Sequence, residues 1–386
     1  MSEAIDIKLA DRLSSVGEYW FSGKLREIAR LKETGRDIIS LGIGSPDMAP
    51  APSVVERLSC EAAKSDTHGY QPYIGTAELR GAFARWYGDR YGVALGADNV
   101  LPLIGSKEGI MHIAMTYIDP GDKVLIPNPG YPTYRSAFTL AGAQCVEYGL
   151  CASRGWQPDL DEIEAVGLDG VKIMMVNFPN MPTGAMPREG LFADLVAFAR
   201  RHDILLVNDN PYSFIRTERP VSLLQTPGAL DVAIELNSLS KSHNMAGWRV
   251  GAVMAHPRRI SEIIRFKSNM DSGMFRPLQL AAAEALALGD EWYEALSERY
   301  AEREVLGYRI MEALGCKAEK GQAGLFVWGR IPDDADDCFA FTDKVLADYD
   351  VFITPGGIFG SEGMRYVRIS LCADTATLEK VCGRLR

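Results

Sequence analysis

Short apolar runs recur between about Val100 and Ala255, separated by stretches with helical spacing. Val100-Leu101-Pro102-Leu103-Ile104, Lys123-Val124-Leu125-Ile126, Val171-Lys172-Ile173-Met174-Met175-Val176, Ile204-Leu205-Leu206-Val207 and Val232-Ala233-Ile234-Glu235-Leu236 read as strands. Continuous apolar runs suit strands covered on both faces, and their alternation with helices predicts a mainly parallel sheet sandwiched by helices. After Gly105-Ser106 a helix is expected, with Ile110, Ile113, Ala114 and Tyr117 on one face. Further on, 291–314 reads as a long helix, followed by a strand at 324–328, a helix around 339–346 and strands at 351–354 and 366–371. These predict a smaller α+β domain, which also takes in the N-terminal segment. The fold class is therefore α/β, with a large domain over 44–276 and a small domain over 1–43 and 277–386. A chain of 386 residues exceeds one ordinary core, which agrees with two domains.

Composition narrows the partners. A formal net charge of -10 argues against nucleic-acid binding as the main task. Seven cysteines without a C-x-x-C pair suggest reduced thiols and a cytoplasmic chain. The five histidines form no metal-ligand spacing, so no metal is expected. Residues 1–13 are charged, and no apolar run approaches membrane-spanning length, so no membrane partner is expected.

The most informative string is Ser238-Leu239-Ser240-Lys241, which runs through Ser242-His243-Asn244-Met245-Ala246-Gly247-Trp248-Arg249-Val250-Gly251. It delivers an amine at the end of a buried strand, where desolvation makes a lysine nucleophilic. Spacing alone leaves Lys241 as one basic residue among 41. About thirty positions upstream, Ile204-Leu205-Leu206-Val207-Asn208-Asp209-Asn210-Pro211-Tyr212 ends another strand on a carboxylate. Asp-Asn-Pro is also good turn chemistry, so taken alone Asp209 could be a cap. Gly105-Ser106-Lys107 opens a helix after a strand, a ready anion site, although Gly-Ser is common in loops. No Gly-x-Gly-x-x-Gly follows a strand with an acid about twenty residues on, so a dinucleotide fingerprint is missing.

Together these strings resemble the fold type I, class I/II aminotransferases, which use pyridoxal 5′-phosphate, and the likeness runs in order along nearly the whole chain. The resemblance implies that Lys241 carries the cofactor as a Schiff base and shuttles the substrate proton. It implies Asp209 beside the pyridine nitrogen, where a carboxylate keeps the ring protonated, and Tyr212 on the ring oxygen. Gly105, Ser106, Lys107, Ser238 and Arg249 match the phosphate cup. Tyr131, in Pro129-Gly130-Tyr131-Pro132, matches the ring that stacks on the cofactor. Arg368, in Tyr366-Val367-Arg368-Ile369-Ser370-Leu371, matches the grip on the substrate α-carboxylate, with the backbone near Gly44 assisting. Tyr70, in Tyr70-Gln71-Pro72-Tyr73-Ile74-Gly75, matches the tyrosine that crosses to a neighbouring subunit, which implies a homodimer with shared active sites.

Where the family usually reads Asn-Pro-Thr-Gly, this chain has Asn180-Met181-Pro182-Thr183-Gly184, and methionine cannot donate to the ring oxygen. Either Tyr212 alone supports that oxygen, or Asn180 or Asn177 reaches in, or the site is tuned differently. Tyr19-Trp20-Phe21 offers a lid over the substrate side chain or simple packing, and Arg276 offers a distal carboxylate contact. The expected function is amino transfer between an L-amino acid and a 2-oxo acid by a ping-pong route. A lyase or γ-replacement enzyme resembling the aminocyclopropane-carboxylate synthases is the rival on the same fold. A ligand-sensing regulator is a third reading, disfavoured because family-like strings begin by Gly42.

Overall fold

A computed structural model describes residues 5–386, so the first four residues of the charged 1–13 stretch lie outside the described part. Seven strands form the main sheet: β1 (Val100–Leu103), β2 (Lys123–Asn128), β3 (Gln144–Gly149), β4 (Val171–Val176), β5 (Leu205–Asp209), β6 (Ala233–Ser238) and β7 (Gly251–Ala255). Their order across the sheet is β1-β7-β6-β5-β4-β2-β3. Only β7 runs antiparallel to its neighbours, β1 and β6. Every residue of β1, β5, β6 and β7 is buried, which is why those runs are continuous rather than alternating. The edge strand β3 is mostly uncovered, and its mixed polarity hid it from the hydrophobic pattern.

One charge interrupts β6. Glu235 is buried, and its carboxylate accepts from Tyr87 Oη (2.9 Å), Ser222 Oγ (2.6 Å), Asn208 Nδ2 (2.8 Å) and the Leu223 amide (2.8 Å). A buried carboxylate is tolerable only when its lone pairs are met in this way.

The smaller sheet is antiparallel, in the order Thr354–Pro355, Tyr366–Ser370, Phe326–Arg330, Lys317–Ala318. Ile39–Ser40 pairs in parallel with Val351–Phe352, so the N-terminal segment joins the C-terminal part of the chain. Helix Asp290–Ala313 packs on Thr375–Arg384, whereas Arg276–Leu286 packs on Pro52–Ala62 and Ala77–Tyr91. Among the described residues no helix is long and apolar enough to cross a membrane. All seven cysteines are free thiols.

Histidine spacing missed one cluster. Glu108, His112 and Asp271 bring ligand-type atoms within 4.8 Å of one another. The Lys267 ammonium already lies 2.6 Å from Asp271, so the cluster carries its own cation.

Candidate active site

The carboxyl ends of β1, β5 and β6 meet at one edge of the main sheet, where ligands bind in open α/β folds. Since β7 is antiparallel, its amino end lies at that same edge and brings Arg249 there. A cavity of about 400 Å³ opens at this point, bounded by the main sheet, the smaller sheet and the N-terminal helix Trp20–Glu33.

Lys241 sits in the short helix Leu239–Ser242, whose first turn is capped by Ser238 Oγ accepting from the Ser240 amide (3.2 Å). Its Nζ donates to the Gly44 carbonyl. Burial pushes the amine below the ordinary lysine value, and the Arg368 and Arg249 guanidiniums push the same way. Asp209 ends β5 and is buried. Its Oδ2 accepts from Tyr134 Oη at 2.9 Å, while Oδ1 is buried without a hydrogen-bond partner. Burial pushes the carboxyl up to about 6, against the lowering hydrogen bond from Tyr134. Asp209 caps no helix, which removes the turn reading.

Gly105 stands between β1 and α1 (Ser106–Tyr117) with a φ of 102°, in the left-handed region that favours glycine. A Cβ there would run into the Arg249 guanidinium, so the glycine keeps a cradle open between the helix N-terminus and that cation. Arg249 Nη1 is fixed by the Ala246 carbonyl at 2.9 Å. Ser106, Lys107, Ser238 and Arg249 all line the cavity. Lys107 Nζ lies 4.4 Å from the Tyr19 ring centroid.

Arg368 is buried and held flat. Its Nη2 donates to the Gly42 carbonyl (2.9 Å), Nη1 points at Met181 Sδ (3.1 Å), and Nε has no partner. Its guanidinium carbon lies 3.8 Å from the Phe326 ring and 4.7 Å from the Phe359 ring. Burial pulls its pKa down to about 10, which leaves it charged at neutral pH.

Eleven of the expected residues line this cavity: Tyr19, Gly44, Ser106, Lys107, Tyr131, Asp209, Tyr212, Ser238, Lys241, Arg249 and Arg368. Gly105 shapes it through its missing side chain. Asn180 does not line it, because Asn180 Oδ1 accepts from Thr183 Oγ1 (2.7 Å) and Thr183 N (3.3 Å) and so closes its own turn. Asn177 lines the wall instead, with Nδ2 on the Asp209 carbonyl (2.5 Å) and Oδ1 taken by the Met181 amide (2.8 Å). Tyr70 is 94% exposed and lies outside the cavity of its own chain. Arg276 also lies outside, 3.8 Å from Glu78. Of the three N-terminal aromatics, Tyr19 and Phe21 face the cavity while Trp20 stacks on Phe352. Tyr134, Phe326, Phe359 and Ser240 line the site without having been expected there. Tyr134, one helical turn after Tyr131, and Ser240, next to Lys241, left a signal.

An anion cradle at a helix N-terminus, a buried carboxylate oxygen with no partner and a desolvated amine fit a phosphorylated pyridine aldehyde. Residues 36–385 match the family described as Aminotransferase class I and II, and the chain belongs to it. It is similar to the LL-diaminopimelate aminotransferase of Nitratidesulfovibrio vulgaris Hildenborough, at 40% identity over 385 residues and 98% of both chains. The enzyme of that name from Natranaerobius thermophilus is 38% identical over 97% of this chain and 98% of its own. Among solved structures, substrate-bound BacF of Bacillus subtilis aligns with a TM-score of 0.94 at 34% identity, covering 98% of this chain and 97% of BacF. Aspartate aminotransferase of Thermotoga maritima aligns at 0.90 and 25% identity, covering 97% and 98%. The chain is a pyridoxal 5′-phosphate-dependent aminotransferase. It moves an amino group between amino and 2-oxo acids.

Proposed function

We propose that amino transfer takes place in the cavity between the two sheets, with Lys241 as its proton-carrying base. The observation that carries this is the meeting of Lys241 Nζ, Asp209 and Arg368 in one cavity of about 400 Å³. Pyridoxal 5′-phosphate, when bound, supplies a carbonyl that condenses with amines and a ring that withdraws electrons from the substrate α-carbon. The Ser106 and Lys107 amides, Ser238 Oγ and Arg249 would hold its phosphate. Asp209 would meet the ring nitrogen and Tyr212 the ring oxygen, while Tyr131 would pack on the ring. Arg368 takes the substrate α-carboxylate and thereby fixes which bond faces Lys241. Burial leaves more of the Lys241 amine unprotonated at neutral pH, so Nζ is free to take the α-proton and to return it. Asn177 and Asn180 already spend hydrogen bonds on backbone and turn, so the ring oxygen depends on Tyr212.

The two chains of a homodimer complete the site. The loops carrying Tyr70 and Phe275 touch through Gly273 and Gln71, and Tyr70, Tyr73 and Phe275 stay exposed, which suits an aromatic contact with a second copy. The relatives named LL-diaminopimelate aminotransferase favour transfer over the lyase rival. Seven free thiols suit a cytoplasmic enzyme. The large domain extends past residue 276 to include Arg276–Leu286, since that helix packs on large-domain helices.

Replacing Lys241 by Ala tests the assignment. Turnover should fall by several orders of magnitude while cofactor binding, followed by absorbance, persists through the phosphate cup and Asp209. Borohydride reduction of the holoenzyme should fix the cofactor on Lys241, and fixation on another lysine would sink the reading.

A further inference from the structure

Although the chain carries a net charge of -10, its cavity is lined by three cations, Lys107, Arg249 and Arg368, by the Lys241 amine and by one carboxylate, Asp209. That carboxylate is buried at the end of β5 and bonded to Tyr134, on the side given above to the cofactor ring. With the α-carboxylate on Arg368, the substrate side chain extends toward the N-terminal helix. There it meets Tyr19, Phe21, Leu25, Ile43, Tyr131 and Phe359. The only charge among these walls is Lys107, whose ammonium rests on the Tyr19 ring.

A side chain ending in an ammonium would be desolvated beside Lys107 with no carboxylate to receive it, an arrangement disfavoured both by burial and by like charge. An aromatic ring would pack against rings already held at fixed angles, such as Tyr19 against Phe21 at 41°. The loop expected to arrive from a second copy brings no carboxylate, because Tyr70 to Ala77 contains no acid and exposes Tyr70 and Tyr73. We propose that the side-chain subsite selects an uncharged aromatic L-amino acid and rejects one whose side chain ends in a lone ammonium, as lysine's does. The inference rests on the placement of the α-carboxylate at Arg368.

The test uses the holoenzyme with 2-oxoglutarate as acceptor. kcat/KM is measured for L-phenylalanine, L-tyrosine and L-lysine. Phenylalanine or tyrosine should exceed lysine by at least about 100-fold, the scale on which a buried unpaired group discriminates substrates. Lysine equal to or better than phenylalanine would overturn the proposal while leaving amino transfer intact. Calorimetry with two unreactive acids separates the subsite from the chemistry: 3-phenylpropanoate should bind at least roughly tenfold more tightly than 6-aminohexanoate. That order without turnover of any amino acid would support the subsite and remove the Lys241 assignment; the reverse order would overturn the subsite. Leu25 stands half-exposed at the mouth, so Leu25→Glu should fold normally and narrow the phenylalanine-to-lysine ratio by roughly tenfold. An unchanged ratio would place the side chain elsewhere.

Discussion

At Asp209 burial and task pull in opposite directions. Without cofactor the carboxyl is desolvated and its pKa rises to about 6; beside a protonated ring it must stay ionised. Its folded pKa lies above its unfolded value, so the folded protein binds the extra proton between about pH 4 and 6. Stability of the cofactor-free protein therefore falls as pH rises through that window and stays lower above it. Asp209→Asn keeps an acceptor for Tyr134 and removes the charge. The cofactor-free variant should be more stable than the parent at pH 7 by on the order of 2 kcal/mol, with little difference at pH 4. Its turnover should fall by two to three orders of magnitude, roughly the loss typical of removing a preorganised electrostatic group. Denaturant titrations at both pH values and steady-state rates check the two halves, and equal stability at pH 7 would mean that Asp209 is not desolvated as described. Residues of this kind were legible because they sit in strings where a strand ends on a polar side chain. Phe326 and Phe359 were not, because each enters the site from a distant segment and looks like an ordinary core aromatic in its own neighbourhood.

Among the elements, helix Asp290–Ala313 reaches furthest into the site's support. Arg303 on this helix grips Asp47 with both forks, at 2.7 and 2.8 Å, and donates to the Leu371 carbonyl at 3.1 Å. One guanidinium thus holds the segment after Gly44, which positions Lys241, to the end of the strand that carries Arg368. Arg303→Leu frees Asp47, which is partly solvated, so the stability cost should be modest, about 1–2 kcal/mol. The larger effect should be a rise in KM for the amino acid of roughly tenfold, with kcat less affected, because the α-carboxylate grip loses its fixed relation to the base. A lowered melting temperature with unchanged KM would confine the pair to stability. The sequence showed this helix and placed Arg303 on it, but not the partner 256 positions away. The short strands near residue 353 and the exposed strand β3 were blurred because two residues, or a half-covered edge, leave too little periodicity to read.

For the whole molecule, the dimer reading makes a prediction that no single chain can fulfil. Tyr70→Phe and Lys241→Ala homodimers, mixed, dissociated and reassociated, should form heterodimers with one intact site and one doubly damaged site. Turnover should recover relative to both parents, and its absence would assign Tyr70 to its own chain. The reversed direction of β7 bears on the whole site as well. Because the chain turns back directly from β6 into β7, the distance between the amine and the phosphate cation is set by one short stretch of backbone. If both groups hold the cofactor as proposed, they are the ends of one ruler and cannot be adjusted separately. Inserting a single residue between Lys241 and Arg249 should weaken cofactor affinity and displace the amine together, whereas insertions in the loop before Ala229 should leave both in place. A lineage is then free to reshape the walls around the substrate, but it inherits the length of that turn unchanged.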